Sequence, residues 1–118
     1  MDIKNHVGGL VISEDVISKI ATTAALEIDG VVDMVSKPAA TIKDIFRKQR
    51  VLKPVRVRVN DNQLIVDLYI SVKSGYRITD VCEAVQSNVK QEIQNMTHNA
   101  VAKVNVFVED IDLSGIAQ

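Results

Sequence analysis

Two periodicities of apolar and polar residues alternate along the chain. Val16, Ile17, Ile20, Ala21, Ala24 and Ile28 recur every three or four positions, the spacing of a helix with one buried face. Ser13 is a good N-cap, and Glu14 and Asp15 fall in the first turn, where the helix dipole favours acids. Gly30 stands where a left-handed residue closes a helix. The pattern predicts a helix from Glu14 to Asp29. Before it, Val7 to Ile12 reads as a short strand loosened at its start by Gly8 and Gly9; after it, Val31 to Val35 reads as a short β segment.

The period then changes to two. Val55, Val57 and Val59 alternate with Arg56, Arg58 and Asn60, a strand with one buried face. Asn60-Asp61-Asn62 tolerates left-handed geometry and leads into a second alternating run, Leu64 to Lys73, so the pair predicts an antiparallel hairpin. Ser74-Gly75-Tyr76 interrupts it, and Thr79 with Asp80 opens a second helix. Its apolar stripe is Ile78, Val81, Cys82, Val85, Val89, Ile93 and Met96. Asn99 is the expected left-handed residue after that helix. Val104, Val106 and Val108 then alternate with Lys103, Asn105, Phe107 and Glu109 in a last strand, and Asp110 to Gln118 reads as a tail.

The order is β-α-β, a connecting segment, then β-β-α-β. It predicts an α+β two-layer sandwich, a mixed β-sheet with two long helices packed on one face. One domain, residues 1–118, is expected, with a folded core over 7–109, a basic connecting segment over 37–54 and a tail over 110–118. The length of 118 residues supports one core without a metal or disulfide staple. With 47% hydrophobic and 25% charged residues, the composition is that of a globular chain. The apolar runs are too short to span a bilayer and no secretion signal opens the chain, so a cytoplasmic location is expected. The lone Cys82 cannot form an internal disulfide, which suits a reducing compartment.

The net charge of −1 conceals a polarity. Between Lys37 and Arg58 stand eight basic residues and one acid, Asp44, a formal +7; the remainder carries six basic residues and fourteen acids, −8. Such a chain suits an anionic partner or self-assembly, or simply a solvated segment neutralised within its own fold. Within the segment, Thr41 to Lys48 reads as a short helix with Ile42, Ile45 and Phe46 on one side. Lys43, Phe46, Arg47, Lys48, Arg50 and Lys53 are the candidate partner-binding residues. A lipid surface, an acidic groove or the acidic body of a second copy would each suit them.

Catalytic constellations are missing. The glycines are scattered and no Gly-Lys-Ser/Thr occurs, so no phosphate loop is expected. His6 and His98 lack a second histidine or a cysteine at ligand spacing, and no metal or other cofactor is expected. Cys82 falls on the apolar stripe of the second helix and reads as a buried structural thiol. Asp67 and Glu83 are lone acids. The chain is therefore expected not to be an enzyme.

If the valines point inward, Arg56, Arg58, Ile65, Asp67, Tyr69, Lys73, Lys103, Asn105 and Phe107 share the outer face of the sheet. Aromatics among basic residues suggest the alternative function, a small nucleic-acid-binding module using the basic segment and open sheet. Against it, aromatics are only 3% of the chain and the usual stacking motif is absent. Nucleic acid is therefore not the expected partner. Cross-strand pairing is preferred, with Asp67 neutralising an arginine and Ile65, Tyr69 and Phe107 covered by a second copy, giving a homo-oligomer.

Three strings carry a family resemblance. The first is Leu10-Val11-Ile12-Ser13-Glu14-Asp15-Val16-Ile17, continued by Ile20-Ala21, Ala24-Ala25 and Glu27-Ile28-Asp29-Gly30-Val31. The second is Val66-Asp67-Leu68-Tyr69-Ile70-Ser71-Val72. The third is Val85-Gln86-Ser87-Asn88-Val89-Lys90, followed by Met96-Thr97 and Val104-Asn105-Val106-Phe107-Val108. Together, from Leu10 to Asp112, the chain resembles the alkaline shock protein family of Gram-positive bacteria, also called the envelope stress response family. The resemblance implies a small non-enzymatic cytosolic protein of envelope or alkaline stress that self-associates and binds a protein partner. That partner is cytosolic or membrane-anchored, which would place the chain at the inner face of the membrane without a span of its own. No catalytic or cofactor residue comes with it. Two places depart from the family pattern: His98-Asn99 where glycine commonly follows Met-Thr, and Lys73-Ser74-Gly75-Tyr76 where Tyr-Gly often follows the strand.

Overall fold

The computed structural model describes residues 6–7, 10–11, 13–38 and 51–113. The elements are β1 (His6–Val7), β2 (Leu10–Val11), α1 (Glu14–Leu26), β3 (Val31–Met34), β4 (Lys37–Pro38) and β5 (Val51–Leu52). β6 (Val55–Asn60), β7 (Gln63–Lys73), α2 (Ile78–Thr97) and β8 (Val101–Asp112) follow. The predicted α+β architecture is the observed one: a mixed four-stranded sheet packed against two long helices.

β7 organises the sheet. One edge is shared end to end by two antiparallel strands, β6 against residues 63–68 and β3 against 70–72. At the junction, the Tyr69 N–H donates to the Pro54 carbonyl at 2.9 Å and the Tyr69 carbonyl accepts from the Val35 N–H at 2.8 Å. The other edge carries β8 in parallel, as a strand-helix-strand crossover allows. Leu64, Val66, Leu68, Ile70 and Val72 point to the helices and are all fully buried. Ile17, Ala21, Ala24 and Ala25 of α1 and Val81, Val85, Val89 and Ile93 of α2 meet them. Each valine, leucine or isoleucine among them contributes roughly 1.5–3 kcal/mol on full burial. The small alanines let α1 approach closely, and Asn88 of α2 ties the helices by donating to the Ala24 carbonyl at 2.8 Å and to Glu27 at 3.0 Å.

Several boundaries differ from the sequence expectation, each for a local reason. Val7 to Ile12 does not form one strand; His6–Val7 pairs antiparallel with Leu10–Val11 across the two glycines. α1 has the expected Ser13 cap, which accepts from the Val16 N–H at 3.4 Å, but ends at Leu26. There Ile28 donates to Ala25, tightening the chain into the turn that Gly30 closes at φ +99°. α2 begins at Ile78, one residue before Thr79, with Arg77 as N-cap making no side-chain cap bond. Its buried stripe is narrower than predicted: Ile78 and Met96 are exposed, and Cys82 is half-buried, not buried. The left-handed residue after it is His98 at φ 60°, while Asn99 is buried. The connection from Ser36 to Pro54 is closed at its neck, since Lys37 pairs with Leu52 and Pro38 with Val51.

The largest correction is at the end of the chain. β8 runs to Asp112, so Asp110 to Asp112 belong to the sheet and not to a tail. The register against β7 shifts between Leu64 and Ile65 and again between Ile70 and Ser71, where Glu109 is the extra residue on β8. The second shift turns Asp110 outward beside Ser71 and sets Ile111 beside Val72 on the helix side of the sheet, where it remains partly exposed.

Candidate functional site

Alternation brings a definite set of side chains to the outer face of the sheet. Arg56 and Arg58 of β6 flank Asp67 and Ile65 of β7, and Lys103, Asn105 and Phe107 of β8 stand opposite Ile65, Asp67 and Tyr69. Asp67 is the polar centre. Arg58 reaches it diagonally, 3.2 Å to both carboxylate oxygens, and Asn105 Nδ2 donates to Oδ1 at 2.8 Å. The pair is asymmetric: the Asp67 side chain is 13% exposed and that of Arg58 57%. The expected neutralisation of an arginine by Asp67 is thus present, and it places a carboxylate in the middle of the face, where a nucleic-acid platform would need positive charge.

One step further along the same strands, the Tyr69 and Phe107 rings stack with centroids 5.0 Å apart and planes 19° apart. Alternation alone predicts both to be exposed. Tyr69 is buried, at 9%, at the point where its own backbone ties the ends of β3 and β6 together, whereas Phe107 is 42% exposed. Ile65 is half-buried and separated from the stack by Asp67. Tyr69 and Phe107 are therefore brought together, and Ile65 stands apart from them.

The basic segment is a different matter. Lys43, Phe46, Arg47, Lys48 and Arg50, with the short helix expected over 41–48, lie outside the described residues. Lys53 is described and exposed, at the rim of a groove of about 270 Å³ with Asp15, Lys19 and Pro54. The β4–β5 pairing brings the two ends of residues 39–50 side by side.

Two residues of consequence were not anticipated. Gln86 and Gln94 on α2 reach the strand edge beside them. Gln86 Nε2 donates to the Val104 carbonyl at 3.0 Å, and Gln94 Oε1 accepts from the Val101 N–H at 3.1 Å. The available signal was placement: each follows a buried residue of the stripe, Val85 or Ile93, on the flank nearest β8.

Elsewhere the chemistry is sparse. A shallow groove of about 520 Å³ between the helices' adjoining ends is lined by Glu27, Asp29, Tyr76, Arg77, Asp80 and Ala84. Arg77 and Asp80 pair within it at 3.5 Å and both are well exposed. Desolvation pushes the Cys82 thiol above its ordinary pKa, the opposite of what activates a nucleophile. Among the described residues, no group of three or more potential ligands could hold a metal ion, and no helix is long and apolar enough to cross a membrane.

Among solved structures the chain is similar to the MamM CTD, with a TM-score of 0.57 at 18% identity, covering 83% of this chain and 95% of that one. A copper form of the same domain matches with a TM-score of 0.58 at 16% identity, over 85% of this chain and 100% of that one. At such identities the likeness is one of fold. Sequence relatives are nearer. The protein YqhY of Bacillus subtilis (strain 168) is 34% identical over 96% of this chain and 84% of its own length. Protein Spy1614 of Streptococcus pyogenes serotype M6 is 36% identical, over 94% of both. A stress response regulator gls24 homolog of Streptococcus pyogenes serotype M3 is 31% identical over 88% of this chain and 59% of its own length. The family model of alkaline shock protein 23, described by a cell envelope-related function, matches residues 2–113. With the match spanning both helices and the whole sheet, the chain belongs to the alkaline shock protein family, whose function is cell envelope-related.

Proposed function

We propose that the protein is a non-enzymatic interaction module of the envelope stress response, acting in the cytoplasm by self-association and by binding a cytosolic or membrane-linked protein. The observation that supports it best is the outer face of the sheet. It carries an exposed Phe107 on a rigid stack beside a neutralised Arg58–Asp67–Asn105 cluster. An exposed ring held rigidly by a neighbour loses little conformational freedom when covered, which favours a contact surface. Charge supports the partner half of the reading. The +7 stretch from Lys37 to Arg58 suits an acidic protein or anionic membrane surface, and the described neck of that segment holds its two ends together.

Light scattering of the purified chain across a concentration series tests self-association; a monomer throughout would overturn that half. Reversing Arg47, Lys48 and Arg50 to glutamate tests the other half. The expected outcome is nearly unchanged thermal stability with loss of partner co-purification, since the charges of a segment that serves docking contribute little to folding. A variant that unfolds while retaining partner capture would refute docking by this segment.

A further inference from the structure

Among the described residues the β8 edge is open in one place, and the backbone hydrogen bonds on either side locate it. Leu64 N–H donates to the Ala100 carbonyl and Ser74 N–H to the Asp112 carbonyl, both at 2.9 Å. With the parallel register between them, the backbone groups of residues 103, 105 and 107 point at β7, and those of Val104, Val106 and Val108 point the other way. The Gln86 contact confirms this direction, because it meets the Val104 carbonyl from outside the sheet. Among the described residues β8 pairs with β7 alone. Gln94 and Gln86 occupy the edge at Val101 and Val104, so the uncovered stretch begins at Val106.

We propose that a second copy of this chain joins here, β8 against β8 in antiparallel two-fold pairing, with Val106 of each copy bonded to Val108 of the other. The proposal rests on the self-association read above and specifies its contact. This register uses only open backbone groups and leaves both glutamine bonds intact. It places Phe107 on the axis, directly opposite its symmetry mate in a non-hydrogen-bonded pair, where side chains approach most closely. The exposed ring is then covered, and the stacks of both copies join into one row from Tyr69 through the two Phe107 rings to the second Tyr69. Charge agrees with the antiparallel sense. The acidic end of each β8, with Glu109, Asp110 and Asp112, runs alongside the end that carries Lys103, whereas a parallel pairing would set acid against acid. Val106 and Val108 need no side-chain change, since both already lean on the core.

Two variants test it in a Cys82→Ser background. Val108→Pro removes an N–H that faces the edge and not β7, a substitution an edge strand tolerates. It should raise the dimer dissociation constant by roughly tenfold or more while the circular dichroism spectrum stays that of the parent. Phe107→Cys should form a disulfide-linked dimer on mild oxidation, because opposed non-hydrogen-bonded residues lie about 4.5 Å apart at Cα, within the range a disulfide spans. Arg58→Cys, on the same face but on the opposite edge strand β6, should not. If Val108→Pro fails to fold, the cross-link decides. Undiminished association of folded Val108→Pro together with no Phe107→Cys cross-link would overturn the edge contact and leave self-association standing. A parent chain that stays monomeric at high concentration would overturn both.

Discussion

The two faces of β7 differ most over its first half. Leu64, Val66, Leu68, Ile70 and Val72 are fully buried against both helices, while on the other face Ile65 and Asp67 are half-buried and Lys73 is exposed, with Tyr69 and Ser71 buried between them. The inner face depends on shape and the outer one on pairing. On the inner face a lost methyl group leaves a void that close packing cannot refill. On the outer face solvent replaces much of what a substitution removes. Stability should therefore reside on one face, and recognition can reside on the other without threatening the fold.

Leu68→Ala should give the largest loss of stability, about 2–5 kcal/mol in urea unfolding, because it empties a site opposite α1 and α2. A loss below about 1 kcal/mol would mean the two layers are loosely packed. Gly30→Ala comes next, at about 1–3 kcal/mol, with two causes acting together. The residue sits at φ +99°, and a Cβ there would lie 2.9 Å from the Tyr76 ring and from Val81 Cγ2. The outer face should respond more weakly. Asp67→Ala and Arg58→Ala should each cost about 1 kcal/mol or less, and a double-mutant cycle between them should show a coupling of about 0.2–1 kcal/mol. Asp67→Ala should be the more costly of the two, because it also strands the half-buried Asn105 amide.

Cys82→Ser should be nearly silent in thermal unfolding, as expected of a half-buried site off the main stripe. Its thiol carries the smallest expected effect, a pH dependence of definite sign. Burial raises its pKa, so the folded chain holds that proton more tightly than the unfolded one. The contribution is complete below the ordinary thiol pKa and is lost as pH rises through the folded value. Alkylation at neutral pH should accordingly be slower than for free cysteine and accelerate as the solution becomes alkaline. An alkylation rate above that of free cysteine would contradict it.

Most of the sandwich was legible because both periods run uninterrupted where the layers meet. The 3.6 period of Val81, Val85, Val89 and Ile93 and the twofold period of Val55 to Lys73 each identify one buried face. Legibility failed where a register shift or a neighbour from elsewhere intervened. Strict alternation after Val108 would aim Asp110 at the core, so the strand looked finished; the extra residue at Glu109 reverses the phase. Tyr69 looked exposed because alternation alone puts it on the outer face, whereas its stack with Phe107 and its place between the ends of β3 and β6 appear only in the fold. At the helix end, His98 took the left-handed position because the Thr97 hydroxyl receives the Asn99 N–H at 3.3 Å and draws that residue inward. The outer-face cluster was half legible. Alternation placed Asp67 among arginines, but nothing in the spacing chose Arg58 over Arg56, and the position of each glutamine after a buried stripe residue named no backbone partner.

The turn at Asp61 and Asn62, where both residues take positive φ (52° and 62°), has a kinetic consequence. A two-residue loop of that kind matches the twist of its strands, so β6 and β7 can zip together on the microsecond scale typical of isolated hairpins. β8 can join β7 only after the whole of α2 has been threaded across, a closure of far greater sequence separation. Assembly should thus begin at the hairpin and be limited in rate by arrival of the last strand. The β7 edge awaiting β8 is the surface most exposed to misfolding while the C-terminal third of the chain is still being synthesised.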